Sequence, residues 1–303
     1  MKYLIGIDGG GTSSRCVICD ENAKVLYRCK GGPTNFLKYD INGVCKTIYS
    51  LLNKCRQNLK ITFNDINVVV IGTAGAGRRK DALLLIKNLK RFLESKKISL
   101  RLRVVSDGLI ALEGAFSGKS GSILISGTGS IIFGKDKKGK VYRLGGYGNK
   151  IGDEGSGYSI GQKGLNAVSK DFDGRAKKTL LTKYLKENFK IDSGEKLIQK
   201  IYHDDFDIAS FAPHVLKAAD KRDEAAIEIL ERETGELILH IERIIKLLKS
   251  SKMKLALIGS LIANENLFSK LLKEKIDSNF SNIEIVEPEN LPEIGALILA
   301  QKL

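Results

Sequence analysis

The sequence predicts an α/β protein built as two related domains, and three observations carry that expectation. A strand, a Gly/Thr-rich loop, a strand, a turn and a strand open the chain from Leu4, and the same order recurs from Ser122. Helical and strand patterns then alternate after the first copy and again near the C-terminus, the order that makes mixed sheets with helices on their faces. The length, 303 residues, corresponds to about two domains at roughly 150 residues each.

Each element follows from its pattern. Lys2 to Ile7, Arg15 to Cys19 and Lys24 to Arg28 are short apolar runs separated by turn residues, a three-stranded antiparallel meander. Val44, Ile48, Leu51, Leu52 and Cys55 make one helical face within Ile41 to Leu59. Val68 to Ile71 is an apolar strand, Asp81 to Leu93 a helix, Leu102 to Val105 a strand and Leu109 to Phe116 a helix. The second copy has strands at Ser122 to Ile125, Ile131 to Phe133 and Lys140 to Leu144. Helices are expected at Tyr158 to Ser169, Ala176 to Asn188, Gly194 to Tyr202 and Asp223 to Leu248. A final βαβα runs from Leu255 to Ile258, Ala263 to Lys275, Ile283 to Val286 and Glu293 to Lys302. No low-complexity linker separates the halves, so the boundary is placed at Gly108, giving domains of 1–108 and 109–303.

Composition excludes several classes. With 43% hydrophobic and 28% charged residues the chain is neither disordered nor fibrous. No apolar run approaches the roughly 20 residues of a membrane helix, and Asp8 interrupts the first run too early for a secretion signal. A cytoplasmic protein with no membrane partner is expected. The five cysteines, all within the first 55 residues, are read as free thiols with no structural metal or cluster. Cys16 and Cys19 cannot chelate together, because i and i+3 on a strand point to opposite faces. The net charge of +15 raises the question of a nucleic-acid partner. The lysines are spread along the whole chain and no nucleic-acid-binding motif is present, so a solvated basic surface is expected and no specific nucleic acid.

The candidate chemistry lies in the loops. Asp8-Gly9-Gly10-Gly11-Thr12 joins two strands of a hairpin, where three glycines let consecutive backbone N–H groups turn toward one point and form a concave site for phosphate oxygens. Thr12 adds a hydroxyl, and Asp8 could hold the Mg2+ that accompanies a nucleotide triphosphate, directly or through water. Ser126-Gly127-Thr128-Gly129-Ser130 offers the same equipment. Either loop alone is more often just a turn; the pair, in duplicated context, points to a nucleotide whose phosphates are gripped from two sides. Gly118-Lys119-Ser120 imitates the end of a Walker A motif, but Glu113 stands where its first glycine should be. Asp107 ends a strand, a position suited to a general base and equally to a helix N-cap. Gly145-Gly146-Tyr147-Gly148 and Gly152-Asp153-Glu154-Gly155-Ser156 bring an aromatic and two carboxylates onto flexible turns. They suit carbohydrate recognition, or simply an Asp-Glu helix N-cap.

The ordered set of these pieces, with Pro33-Thr34-Asn35 and Leu257-Ile258-Gly259-Ser260, resembles the N-acetylglucosamine kinases of the BadF/BadG/BcrA/BcrD-type ATPase family, within the sugar kinase, chaperone ATPase and actin superfamily. The resemblance implies two RNase H-like, actin-like ATPase domains with an interdomain cleft, ATP and Mg2+ as cofactors, and a small-molecule sugar as acceptor. It implies phosphate-binding roles for Gly10, Gly11, Thr12, Gly127, Thr128 and Gly129, and an adenosine-binding role for Gly259 and Ser260. Asn35, Asp107, Gly146, Tyr147 and Asp153 would hold the hexosamine, with Asp107 as base and Asp8 near the metal. Tyr147 departs from the tryptophan usual in that turn, which bears on acetamido preference. An ATPase that serves a partner protein, and a kinase for glucosamine or another hexose, are the alternatives, and a homodimer is left open.

Overall fold

In the first sheet Ile5, Ile7, Cys16, Ile18, Val69 and Ile71 are buried toward one face, and Leu4, Val17, Cys19, Val68 and Val70 toward the other. A period of two with both faces apolar calls for a layer of helices on each side. The computed structural model describes residues 2–303, and it supplies both layers. β1 (Tyr3–Gly9), β2 (Ser14–Cys19), β3 (Val25–Gly31), β4 (Ile66–Thr73) and β5 (Arg101–Ser106) form a mixed sheet in the order β3-β2-β1-β4-β5. α1 (Ile41–Leu59) and α2 (Arg79–Glu94) cover the first face, and α3 (Asp107–Ala115) lies on the second.

The second sheet repeats that plan. β6 (Gly121–Ser126), β7 (Ser130–Lys135) and β8 (Val141–Gly145) form the new meander. Then come α4 (Gly157–Phe172), α5 (Leu180–Phe189), α6 (Gly194–His203), α7 (Ala212–Asp220) and α8 (Glu224–Leu248) before β9 (Met253–Ile258), α9 (Leu267–Asn279) and β10 (Ile283–Val286). The strand order β10-β9-β6-β7-β8 is that of the first sheet, with β6, β7, β8, β9 and β10 in the places of β1, β2, β3, β4 and β5. The internal repeat of the sequence is therefore a repeat of topology.

α10 (Pro292–Gln301) closes the chain. The compact units are Met1–Gly121 with Glu287–Leu303, and Ser122–Val286, in place of the expected division at residue 108. α3 and α10 belong to the first unit because they pack on each other over the second face of its sheet. Their backbones approach closely enough that a Cβ at Gly295 would lie 1.9 Å from the carbonyl oxygen of Ile110. Only glycine permits that crossing.

Other differences are local. α5 begins at Leu180 rather than Ala176, where the Thr179 side chain caps it by accepting from Leu181 N–H. α9 begins at Leu267 rather than Ala263, because Asn266 and Ser269 form a reciprocal capping box. The short α7 and the 3-10 turn before it were not expected; His214 and Pro213 obscure its apolar stripe of Ala212, Val215, Ala218 and Ala219. Among the described residues no helix is long and apolar enough to cross a membrane.

Candidate active site

Register places the first unit's candidate residues in one row. Gly9 of β1 pairs with Thr73 of β4, and Thr73 pairs with Ser106 of β5. The Asp8–Thr12 loop, Thr73 and Asp107 therefore sit at the carboxyl ends of adjacent parallel strands, the end where α/β sheets bind ligands. A buried hydroxyl web supports the loop. Thr73 Oγ1 donates to the carbonyl of Thr34 at 2.9 Å, Ser14 Oγ donates to Gly32 at 2.7 Å, and Thr34 N–H donates to Gly10 at 3.1 Å. Those bonds tie Pro33-Thr34-Asn35 to the loop, with Asn35 Oδ1 receiving the backbone N–H of Leu37.

Gly11 needs its residue type for nothing within the protein. Its φ is not left-handed, and a Cβ there would meet no protein atom within 4 Å. The same holds at Gly127, its counterpart in the second loop. Glycine at both positions, required by neither packing nor backbone strain, is what a close-approaching phosphate would demand.

Asp8 is raised to about 6, by burial first, then by the charge of Glu293, against a lowering by Arg15, and by Asp107. Glu293, at the start of α10, is buried, receives Arg28 at 3.1 Å on Oε1 and has Oε2 without a hydrogen-bond partner. Asp8 feels the negative charge of both Glu293 and Asp107, against one arginine, Arg15, at 3.9 Å, and a hard carboxylate oxygen in that setting fits a divalent cation such as Mg2+. Asp107 itself is the first residue of α3. The N-cap is Ser106, whose Oγ accepts from Leu109 N–H at 3.2 Å, so the capping role considered for Asp107 falls to its neighbour. Asp107 Oδ1 accepts from Gly108 N–H at 2.8 Å.

In the second unit three loops interlock. Ser126 Oγ donates to the carbonyl of Gly155 at 2.6 Å, Ser130 Oγ to that of Glu154 at 2.5 Å, and Gly157 N–H to that of Gly127 at 2.7 Å. Gly259 follows β9, whose Ile258 pairs with Ile125 of β6, so the turn lands on the second loop. Its φ is +104° and a Cβ would lie 2.2 Å from Ser126 O, so this position is doubly restricted to glycine. Asp153, also in the left-handed region at φ +62°, is buried and accepts backbone hydrogen bonds from Gly148 and Ser130. Its carboxyl is raised, mainly by burial. Asp153 thus links the second loop to the Gly145–Gly148 turn, on which Tyr147 is 75% exposed. The cap of α4 is Ser156, not Asp153 or Glu154.

Sequence reasoning missed Glu233. It is fully buried on α8; Oε2 accepts from Gly155 N–H at 2.7 Å, and Lys163 Nζ stands 2.9 Å from Oε1 as an ion pair without hydrogen-bond alignment. A glutamate inside the apolar stripe of a long helix was the available signal. Glu233→Gln would leave Lys163 without its charge partner and weaken the anchor of Gly155. The expected result is a loss of about 1–3 kcal/mol in thermal or urea unfolding. An unchanged melting curve would refute the anchoring role. A cavity of about 540 Å³ lined by Lys163, Asn166, Lys170, Thr179, Glu228 and Arg232, among others, includes none of the loop residues above.

The profile of the BadF/BadG/BcrA/BcrD ATPase family matches residues 5–300. An N-acetylmuramic acid/N-acetylglucosamine kinase of Clostridium acetobutylicum is 34% identical, over 99% of each chain. An N-acetyl-D-glucosamine kinase of Dictyostelium discoideum is 32% identical, over 99% of this chain and 98% of its own. A solved structure from Chromobacterium violaceum, provisionally named an N-acetylglucosamine kinase, superposes with a TM-score of 0.75 at 24% identity and 99% coverage of both chains. That likeness shows the fold.

Proposed function

We propose, from the premise that the chain belongs to the BadF/BadG/BcrA/BcrD ATPase family, that it is an ATP-dependent carbohydrate kinase acting on a hexosamine. N-acetylglucosamine is the first candidate acceptor and its 6-hydroxyl the site of phosphorylation. The observation that carries the nucleotide half of this reading is the pair of glycines, Gly11 and Gly127, that nothing in the protein requires. Full-length relatives that phosphorylate N-acetylated amino sugars support the acceptor.

Phosphoryl transfer passes through a loose transition state, so the protein's work is positioning and charge stabilisation. Backbone N–H groups of Gly11 and Gly129, with the hydroxyls of Thr12 and Thr128, hold phosphate oxygens, while Gly10 and Gly127 shape the two loops by donating their N–H groups to the carbonyls of Ser13 and Gly129. Gly259 and Ser260 receive the adenosine. Mg2+ bound with the nucleotide would be held through Asp8, directly or by water, and would neutralise phosphate charge. Asp107 accepts the proton of the attacking hydroxyl as the oxygen–phosphorus bond forms and ADP leaves. Asn35, Gly146, Tyr147 and Asp153 are assigned to the sugar.

ADP release measured against N-acetylglucosamine, glucosamine, N-acetylmuramic acid and glucose tests the reading. Release that depends on a hexosamine is expected, with N-acetylglucosamine giving the highest kcat/KM. Equal ADP release with and without sugar would favour an ATPase that serves a partner protein, and a preference for glucosamine or glucose would move the acceptor.

A further inference from the structure

Five cysteines occur in the chain, and the fold gathers three of them. Cys16 of β2 and Cys29 of β3 are directly opposite each other across the antiparallel pair, and Cys55 comes down on both from α1. Cys16 Sγ is 3.6 Å from Cys55 Sγ, Cys29 Sγ is 3.9 Å from Cys55 Sγ, and all three sulfurs lie within 4.8 Å of one another. Cys45 shares the same core but stands outside the group, and Cys19 lies on the opposite face of the sheet. The strand argument against a Cys16–Cys19 chelate holds; the third dimension supplies other partners.

Those separations have a chemical meaning. A metal ion bonded to thiolates at about 2.3 Å sets the sulfurs roughly 3.8 Å apart in tetrahedral geometry and about 4.0 Å apart in trigonal geometry. The two Cys55 separations bracket the first value, and the Cys16–Cys29 pair lies within 4.8 Å. Soft thiolate ligands select d10 thiophilic ions such as Zn2+ or Cu+ over Mg2+ or Ca2+. β3 is the edge strand of its sheet and Cys29 is only half-buried, so the cluster can be reached from solvent. Lys54 donates to the carbonyl of Lys30, the residue after Cys29, and brings a positive charge to the rim.

We propose that Cys16, Cys29 and Cys55 form a three-thiolate site for a thiophilic d10 metal ion, independent of the phosphate loops. Each thiol that coordinates releases its proton to solvent, so a divalent ion with three thiolates carries one net negative charge, which the Lys54 ammonium faces. The three thiols are already in contact, with Cys55 within reach of both Cys16 and Cys29. The site would staple the outer hairpin to α1.

Cd2+ is the probe, added without nucleotide to protein kept reduced by a phosphine. One Cd2+ per chain is expected, with an ultraviolet sulfur-to-cadmium charge-transfer band and a raised melting temperature, since a ligand that binds the folded state stabilises it by mass action. Cys29→Ser, at the half-buried edge position, should fold normally by circular dichroism and lose at least about a hundredfold in Cd2+ affinity. Cys55→Ser should do the same, whereas Cys19→Ser and Cys45→Ser should keep the band. A wild-type chain with no band at one equivalent of Cd2+, or a folded Cys29→Ser chain that retains it, would overturn the proposal.

Discussion

Asp107→Asn is expected to fold like the wild type, bind ATP nearly as well, and lose at least about a hundredfold in sugar phosphorylation. The stability half of that result follows from α3, where Ser106 and not Asp107 caps the helix. The exchange therefore removes only a first-turn charge beside the helix N-terminus, worth roughly 0.3–1 kcal/mol, and Asn can still accept from Gly108 N–H. The catalytic half follows from the loss of a proton acceptor at the carboxyl end of β5. A positioned general base contributes about 10² to 10⁴-fold, or roughly 3 to 5 kcal/mol of barrier. Because the interaction belongs to the transition state, kcat should fall with little change in KM for ATP. Asp107 also helps raise Asp8, so its removal should let that carboxyl titrate lower. Thermal melting beside sugar-dependent turnover separates the two roles. A well-folded variant that keeps more than about a tenth of wild-type turnover would remove Asp107 from the base assignment.

The architecture was legible in the sequence because both halves repeat the same order of strand, glycine loop and strand, and that order became one sheet topology used twice. The loops were legible as loops for the same reason: a glycine and threonine cluster between two apolar runs recurs at the same place in both copies. What escaped were relations that local pattern cannot encode. Nothing in residues 287–303 says that α10 returns to the first unit; that depends on Gly295 meeting the backbone of Ile110. Glu233 looks like an interruption of an apolar stripe until the fold brings Gly155 N–H to donate to it. Glu293 reads as an ordinary acid behind an N1 proline, yet α10 lies on the face of the sheet to which Asp8 points and its charge reaches that carboxyl. Cys16, Cys29 and Cys55 converge only because an antiparallel register and a helix face happen to agree. Capping residues mislead in a smaller way. Ser106 and Ser156 hold the caps beside carboxylates that compete for them on paper, because serine and aspartate cap about equally well.

Asp8→Asn should make the protein more stable and less active at once, with a pH signature that identifies the cause. In the folded chain the Asp8 carboxyl is raised from 3.8 to about 6, chiefly by burial and then by the charge of Glu293. Between those two pH values the folded state holds a proton that the unfolded state has already lost. Wild-type stability therefore falls as pH rises from about 4 to about 6, and the cost stays in place above that window. Asparagine has no proton to lose. The variant should gain up to about 3 kcal/mol over the wild type at pH 7.5, the equivalent of the full shift at about 1.4 kcal/mol per unit. That gain should disappear near pH 4, where Asp8 is protonated in both states. Urea unfolding at the two pH values measures it, and a gain independent of pH would assign the effect to packing instead. Function should move the other way. If Asp8 holds the metal as proposed, Mg2+ added with ATP would relieve its buried charge in the wild type and should raise the melting temperature further than in the variant, whose catalytic efficiency with magnesium ATP should drop by about a hundredfold, some 2.7 kcal/mol of lost charge stabilisation. Equal turnover in the two proteins would show that the metal is held elsewhere. A site that stores destabilisation in the absence of its ligand is expected where binding a cation releases it, and the opposite signs of the two measurements on one residue distinguish that arrangement from a carboxylate that merely happens to be buried.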